Sequence, residues 1–424
     1  MHMEGYRCLV CDAYVELSHS GMVCPSCGGN LDVVYNYENL KSVIRNELSL
    51  HAQRSDIFRY LPLLPVEDAS LASPLHVGGT PLYRASRLGR RLDLDRIYIK
   101  DDGMNPTSSF KDRAGAIALV KARMSGAKVI AGASTGNAGS SIAGLCASVG
   151  QACVVFVPES APRAKLIQLR SYGARVIAVR GTYDQAYDLC SEVSRRHGWF
   201  NRNTGMNPFT REGKKTSSFE MWEQLDNGVP DRVVVSAGDG NIISGIWKGW
   251  RDLYRVGLIE RLPRIDCIQA AGSAAIVRAI EKVRNGHSGS ASSILWRDVV
   301  IDPVAADTMA DSISVDMPRD GMAAVRAVIE SGGHAVTVTD EQIRQAQVEL
   351  AGQGGIFTEP ASAAAWAGLA KMAGQGMVRS GETMVCLLTG NGLKDAAKIE
   401  PALPALPVVE PDPSAVDPVI RDLL

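Results

Sequence analysis

Aromatic residues are scarce in this chain of 424 residues, at 6%, and cysteine is scarcer, with nine in all. So few thiols, odd in number, exclude a disulfide-built scaffold at this length. Long runs of one charge are also missing: 45 lysines and arginines stand against 46 aspartates and glutamates, a net charge of -1. Binding a phosphate backbone needs a basic patch, so no nucleic-acid partner is expected. No apolar run reaches the roughly 18 residues that a membrane-spanning helix needs, and the N-terminus lacks a signal-peptide core. The expectation is a soluble, cytoplasmic protein with no membrane partner. Length is what the chain does have, enough for two or three domains and a large core.

Four of the few cysteines are concentrated in one place. Cys8-x2-Cys11 and Cys24-x2-Cys27 form two knuckles, the second with Pro25 and Gly28-Gly29. Two such knuckles bring four thiolates to a tetrahedral centre, and a module with little core of its own gains folding energy from the metal. Residues 1–34 therefore read as a zinc ribbon with a structural zinc, since four cysteines leave no open position for catalysis. Arg7 is the only lysine or arginine in this stretch, so the module reads as a cap or contact element. Cys146, Cys153, Cys190, Cys267 and Cys386 lie in apolar patterns and read as core thiols.

Residues 35–75 read as a helical linker broken by Pro62 and Pro65. Beyond a turn at Gly78-Gly79-Thr80-Pro81, a strand over 96–100 leads to Asn105-Pro-Thr-Ser-Ser-Phe-Lys111-Asp-Arg113. The residue before proline is driven out of the helical region, so Asn105-Pro106 ends what precedes it, and Thr107, Ser108 or Ser109 is placed to cap a new helix. Lys111 then sits at a helix start, where backbone dipoles disfavour its ammonium form. A Schiff-base lysine needs that setting, because the neutral amine is the nucleophile.

Further on, continuous apolar runs at 128–131, 152–157, 175–179, 232–236, 264–269 and 383–388 alternate with helical patterns at 138–149, 163–172, 183–196 and 242–254. This alternation predicts α/β architecture with parallel sheets covered on both faces. Ligands in such sheets bind beyond the carboxyl ends of the strands. Three of those ends carry polar or glycine-rich loops: Gly132 to Gly139, Gly238-Asp239-Gly240-Asn241-Ile242, and Thr389-Gly-Asn-Gly392. Glycines at a strand-to-helix junction let backbone amides gather round an anion. Residues 401–424 carry six prolines and read as an extended tail.

Taken together these residues resemble the threonine synthase family, pyridoxal-phosphate (PLP) enzymes of the tryptophan-synthase-β fold. The resemblance rests on Gly79-Thr-Pro-Leu82, the Asn105–Arg113 segment, Ser134-Thr-Gly-Asn137, Asn207-Pro208 with Glu212-Gly213-x-Lys215-Thr216, Glu359-Pro-Ala-Ser362 and Leu388 to Asp395. It implies a fold-type-II PLP enzyme: a large domain of residues 35–122 and 215–400, a small domain of 123–214, and a homodimer. Position by position, Lys111 would carry the cofactor as a Schiff base and shuttle protons, and Asn137 would meet the ring hydroxyl. The amides of Gly238, Asp239, Gly240, Asn241 and Ile242 would cradle the cofactor phosphate, and Thr389 would face the ring nitrogen. Ser134, Thr135 and Ala138 would line the substrate, with Arg211 and Lys215 as candidate partners for its phosphate. The implied reaction converts O-phospho-L-homoserine and water to threonine and phosphate.

Four departures fall on the substrate side or the phosphate loop. The family's Gly-Asn-x-Gly-Asn aligns with Gly238-Asp239-Gly240-Asn241-Ile242, so an aspartate enters the loop and its side chain must turn away. The arginine of Asn-Pro-x-Arg-x-Glu-Gly is Thr210, which cannot supply a charge-assisted fork. Ala138 replaces a threonine, and Ser108 a glycine. The alternative is a PLP enzyme performing β-elimination or β-replacement on a serine, threonine or O-phosphoserine-type substrate. A nucleotide-binding protein fits worse, because the loops lack the Gly-x-Gly-x-x-Gly order.

Overall fold

In the computed structural model, the structure describes residues 2–161, 163–287, 289–416, 418, 419 and 421. The chain starts with a three-stranded antiparallel sheet of β1 (Met3–Cys8), β2 (Tyr14–Glu16) and β3 (Leu31–Tyr35), with β1 in the middle. A helix, Tyr37–Leu50, follows at once because Asn36 caps it, its Oδ1 accepting from Asn39 N at 2.9 Å. The segment after it runs through 3-10 turns at Ile57–Leu63, where Pro62 rules out a regular α-helix.

Two further sheets are interleaved in sequence. β4 (Leu82–Arg84) and β5 (Ile97–Asp101) come first. Next come β6 (Val129–Ala133), β7 (Ala152–Pro158), β8 (Arg175–Val179) and β9 (Phe200–Asn201), which pair in the order β8-β7-β6-β9. The chain then returns to the first of these sheets with β10 (Arg232–Ser236), β11 (Arg264–Ala270), β12 (Ala335–Val338) and β13 (Met384–Leu388). Its six strands run β12-β11-β10-β13-β5-β4. All pairs in the two larger sheets are parallel except β4 with β5. β4 lies at the sheet's edge and runs antiparallel to β5, the two joined through the short helix Ser86–Arg90. Every residue of β10 and β13 is buried, as expected for strands covered on both faces. Among the described residues, no helix is long and apolar enough to cross a membrane.

One buried ion network ties the lysine helix to this sheet. Arg113, on the helix Lys111–Met124, is fully buried. Its Nε reaches Asp102 Oδ2 at 2.5 Å and its Nη1 reaches Glu220 Oε1 at 2.6 Å, on the helix Thr216–Gln224. Lys100 of β5 adds a 2.7 Å contact from Nζ to Glu220 Oε2 and donates to Thr80 O at 2.6 Å. Burial pushes the Glu220 carboxyl up, but Arg113 and Lys100 outweigh it and hold it well below the usual carboxylate range. Removing the charge of Glu220 leaves two buried cations short of a partner. Glu220→Gln is expected to lower unfolding free energy by about 3–5 kcal/mol in urea titrations at neutral pH. The sign of the pKa shift sets the pH window: the contribution of Glu220 is present above its unfolded value of about 4.3 and fades as pH falls below it. The gap between variant and parent therefore narrows in acid.

Candidate active site

Four loops converge at the carboxyl ends of β5, β6, β10 and β13. Lys111 is the first residue of the helix Lys111–Met124 and is half-buried, with its side chain directed into the gap between the sheets. Burial, the largest influence, pulls its ammonium below the ordinary lysine range; Arg202 adds to this, and Asp239 and Glu359 oppose it. A lysine that loses its proton easily is thereby placed among polar groups. The hydroxyl cap expected from the sequence is not made. The helix has no side-chain cap. Instead Asp112 accepts from Thr107, at 2.7 Å from its N–H and 2.6 Å from its hydroxyl. A carboxylate in the first turn answers the helix dipole directly, so Thr107 is used as a donor. Ser108 bends the chain with φ of 64°, a region that favours glycine.

Beyond β10, Gly238, Asp239 and Gly240 lead into the helix Asn241–Arg255. Gly240 has φ of 89°, and a Cβ there would lie 2.7 Å from Asp320 O, so only glycine allows this turn. The carboxylate of Asp239 is engaged by the backbone of the next loop, accepting from Arg319 N at 3.2 Å. Burial pushes its carboxyl up. Beyond β13, the Thr389 hydroxyl lies 3.1 Å from Ser362 Oγ, which also accepts from the amides of Thr389 and Gly390 at 2.9 and 2.8 Å. Beyond β6, the turn Ser134–Gly136 opens the helix Asn137–Ala147, and Asn137 Nδ2 donates to both oxygens of Glu359 at 3.0 Å.

Lys111, Asn137, the stretch Gly238–Ile242 and Thr389 line one cavity, together with Glu359. An adjoining cavity of about 400 Å³ shares Lys111, Asn137 and Asp239, and is bounded by Ser134, Thr135, Ala138, Tyr183, Thr204 and Arg319. The structure thus brings together most of the residues singled out in the sequence. Arg211 and Lys215 line neither cavity. Arg211 Nη2 lies 2.7 Å from Asp320 Oδ1, and its Nη1 lies 3.0 Å from Asp32 Oδ1. Lys215 Nζ lies 2.5 Å from Glu212 Oε2 and 2.7 Å from Asp252 Oδ2. Both cations are buried and held by carboxylates, which leaves neither for a substrate phosphate. Thr210 is buried as well, donating to Asn207 O at 2.8 Å. Glu359 and Arg319 line the cavities as well, beyond the residues singled out in the sequence. Glu359 had a signal, standing immediately before a proline that starts a helix. Arg319 had none.

At the other end of the chain, the Sγ atoms of Cys8, Cys11, Cys24 and Cys27 all lie within 4.8 Å of one another. Cys8–Cys27, Cys11–Cys24 and Cys11–Cys27 are separated by 3.5, 3.8 and 3.4 Å. Disulfide sulfurs would be about 2.05 Å apart. Four thiolates at about 2.3 Å from one tetrahedral ion would be about 3.8 Å apart, so the cluster fits a zinc ion. The other five cysteines are buried.

Residues 74–390 match the family described as pyridoxal-phosphate dependent enzyme. The threonine synthase of Methanocaldococcus jannaschii is 39% identical over 390 residues, 92% of this chain and 92% of that protein. That of Methanosarcina acetivorans is 36% identical over 394 residues, 93% of each. Among solved structures, the processed form of threonine deaminase isoform 2 from Solanum lycopersicum superposes with a TM-score of 0.63 at 22% identity, over 81% of this chain and 92% of that one. The chain belongs to the pyridoxal-phosphate-dependent enzymes and, among them, to the threonine synthase family. The cofactor fits the residues present, since a buried amine of lowered basicity, a glycine-formed amide turn at a helix start and a strand-end hydroxyl face one cavity.

Ser108 offers a local test. Ser108→Gly relieves a left-handed residue next to Lys111 and is expected to raise unfolding free energy by about 1 kcal/mol. Thermal or urea unfolding measures this directly.

Proposed function

We propose that this chain is a threonine synthase, converting O-phospho-L-homoserine and water to L-threonine and phosphate. The reading rests on one observation above all: the amine of Lys111, its basicity lowered by burial, shares a cavity with the Gly238–Ile242 turn and Thr389. Its standing among threonine synthases over more than nine-tenths of its length supports the same reading. When bound, pyridoxal phosphate withdraws electrons from the substrate's α carbon and so makes the neighbouring C–H bonds acidic. The chain's own residues do the rest. Lys111 Nζ would hold the cofactor and is placed to take a proton from carbon and return it. The amides of Gly238–Ile242 bind the cofactor phosphate at a helix N-terminus. Asn137 would face the ring hydroxyl. Thr389 would offer the ring nitrogen a hydroxyl, a partner that would leave that nitrogen neutral.

Ser134, Thr135 and the amides that follow hold the substrate carboxylate, with Ala138 beside them. Arg319, its guanidinium paired with Asp184, stands in the wall of the same cavity, which buried Thr210, Arg211 and Lys215 do not line. The four ribbon cysteines hold a structural zinc. The proposal includes a homodimer in the cytoplasm that acts without nucleic acid or membrane.

Incubating the PLP-loaded protein with O-phospho-L-homoserine is expected to release phosphate and threonine in equal amounts, with O-phospho-L-serine as a parallel sample. Turnover of the serine compound alone would replace this reaction with β-elimination or β-replacement. Lys111→Ala is expected to abolish both the cofactor's visible absorbance and turnover; activity that survives the change would remove Lys111 from its role. Metal analysis of fresh, reduced protein is expected to find about one zinc per chain. A value near zero would leave the four thiolates without that function.

A further inference from the structure

The phosphate loop contains an unbalanced charge. A turn shaped for a dianion includes Asp239, whose carboxylate repels that dianion, and the backbone N–H of Arg319 offsets the charge only in part. Asp320, the other carboxylate of this corner, is held through both oxygens by Arg211, which it shares with Asp32. Behind the loop lies a lysine amine that no carboxylate claims. Lys214 is fully buried, and its Nζ donates to Asn241 Oδ1, the side chain of the first residue of the helix Asn241–Arg255. Among the described residues it makes no ion pair, in contrast to Lys100, Lys215 and Lys248. Its position is fixed by backbone contacts. A Cβ on Gly213 would lie 1.9 Å from Arg113 O, on the helix that carries Lys111, and one on Gly245 would lie 2.6 Å from Lys214 Cβ. Lys214 is thus wedged between the lysine helix and the helix whose N-terminus forms the phosphate turn.

A buried cation with no counter-charge is unfavourable, and a bound anion removes that cost. We propose that Lys214 is the counter-ion of the cofactor's phosphate: acting through Asn241, it supplies the positive charge that lets a loop containing Asp239 hold a phosphate monoester dianion. Lys214 is a positioning residue, since Asn241 stands between it and the cavity. Burial lowers the basicity of its amine, and Lys111 and Arg202 lower it further, while Asp320 and Asp239 act in the opposite sense. An arriving dianion shifts that balance towards the charged form. Arg202 is a second buried cation of this corner, with Nε and Nη2 unpartnered, and it adds to the excess of positive charge.

The inference rests on the assignment of the cofactor to Lys111, and the test separates the two. Full-length protein freed of cofactor is titrated with pyridoxal 5'-phosphate and, separately, with pyridoxal, which has the same aldehyde and no phosphate. Binding is followed by the absorbance of the lysine adduct. Lys214→Gln keeps a donor of nearly the same reach without the charge, and Lys214→Met removes both. Both variants are expected to bind pyridoxal within twofold of the parent and pyridoxal 5'-phosphate at least tenfold more weakly. Their cofactor-free forms are expected to melt no lower than the parent's, because a buried amine with no carboxylate partner has been removed. At saturating pyridoxal 5'-phosphate, an unchanged KM for O-phospho-L-homoserine assigns the charge to the cofactor's phosphate; a KM that rises with no change in cofactor binding would transfer it to the substrate's and overturn the proposal. Equal weakening for the two aldehydes, or none for either, would overturn it as well. Failure of the parent protein to take up either aldehyde would overturn the assignment of Lys111, and this inference with it.

Discussion

A charge removed from water has to be matched inside the protein, and this structure is arranged around charges that are matched and a few that are not. Asp102, Arg113, Glu220 and Lys100 satisfy one another completely, and in doing so join β5, the lysine helix and the helix Thr216–Gln224 into one block. Glu212, Lys215, Lys248 and Asp252 form a second set of two cations and two carboxylates, and Arg211 joins Asp320 and Asp32 in a third, with one cation between two carboxylates. Within that surround, Lys111, Lys214 and Arg202 have no carboxylate of their own among the described residues. The matched sets give the frame its rigidity, and the unmatched cations give the cavity its appetite for an anion.

The third set also reaches the N-terminal module. Asp32 belongs to β3, and Asn30 donates to Asp320 Oδ1 at 2.8 Å and to Arg319 O at 2.7 Å. The module is therefore joined to the loop that engages Asp239, a connection its composition did not announce. Its lack of basic residues had marked it as a contact element, and the contacts it makes here are with the cofactor side of the large sheet.

Much of the fold could be read from local pattern because buried parallel strands are continuous apolar runs. Residues 175–179 and 232–236 were delimited as the structure has them. The short edge strands β4, β9 and β12 escaped, since two to four residues with partners on one side carry little periodicity. The candidate site was legible where a residue follows a strand end, as Ser134, Asn137, Gly238 and Thr389 do, or opens a helix after a proline turn, as Lys111 does. It was not legible for Arg211 and Lys215. Arg211 is occupied by Asp32 and Asp320, which lie far along the chain, and Lys215 by distant Asp252 together with Glu212 of its own motif, a pairing that three-residue spacing allows but does not reveal. The hydroxyl cap failed for a local reason, because Asp112 inside the helix competes for Thr107.

The contact at Gly213 has a mechanical consequence. Two amines, Lys111 and Lys214, ride on helices that touch backbone to backbone, with no side chain between them to yield, swell or change rotamer. The spacing of the two backbones works like the gauge of a rail track, fixed by the sleepers and indifferent to the load. Substitutions elsewhere in the core can alter the electrical setting of either amine while leaving that spacing alone. An enzyme built this way can be retuned in substrate or in pH response through its walls, and the helices that carry its two amines stay in register throughout.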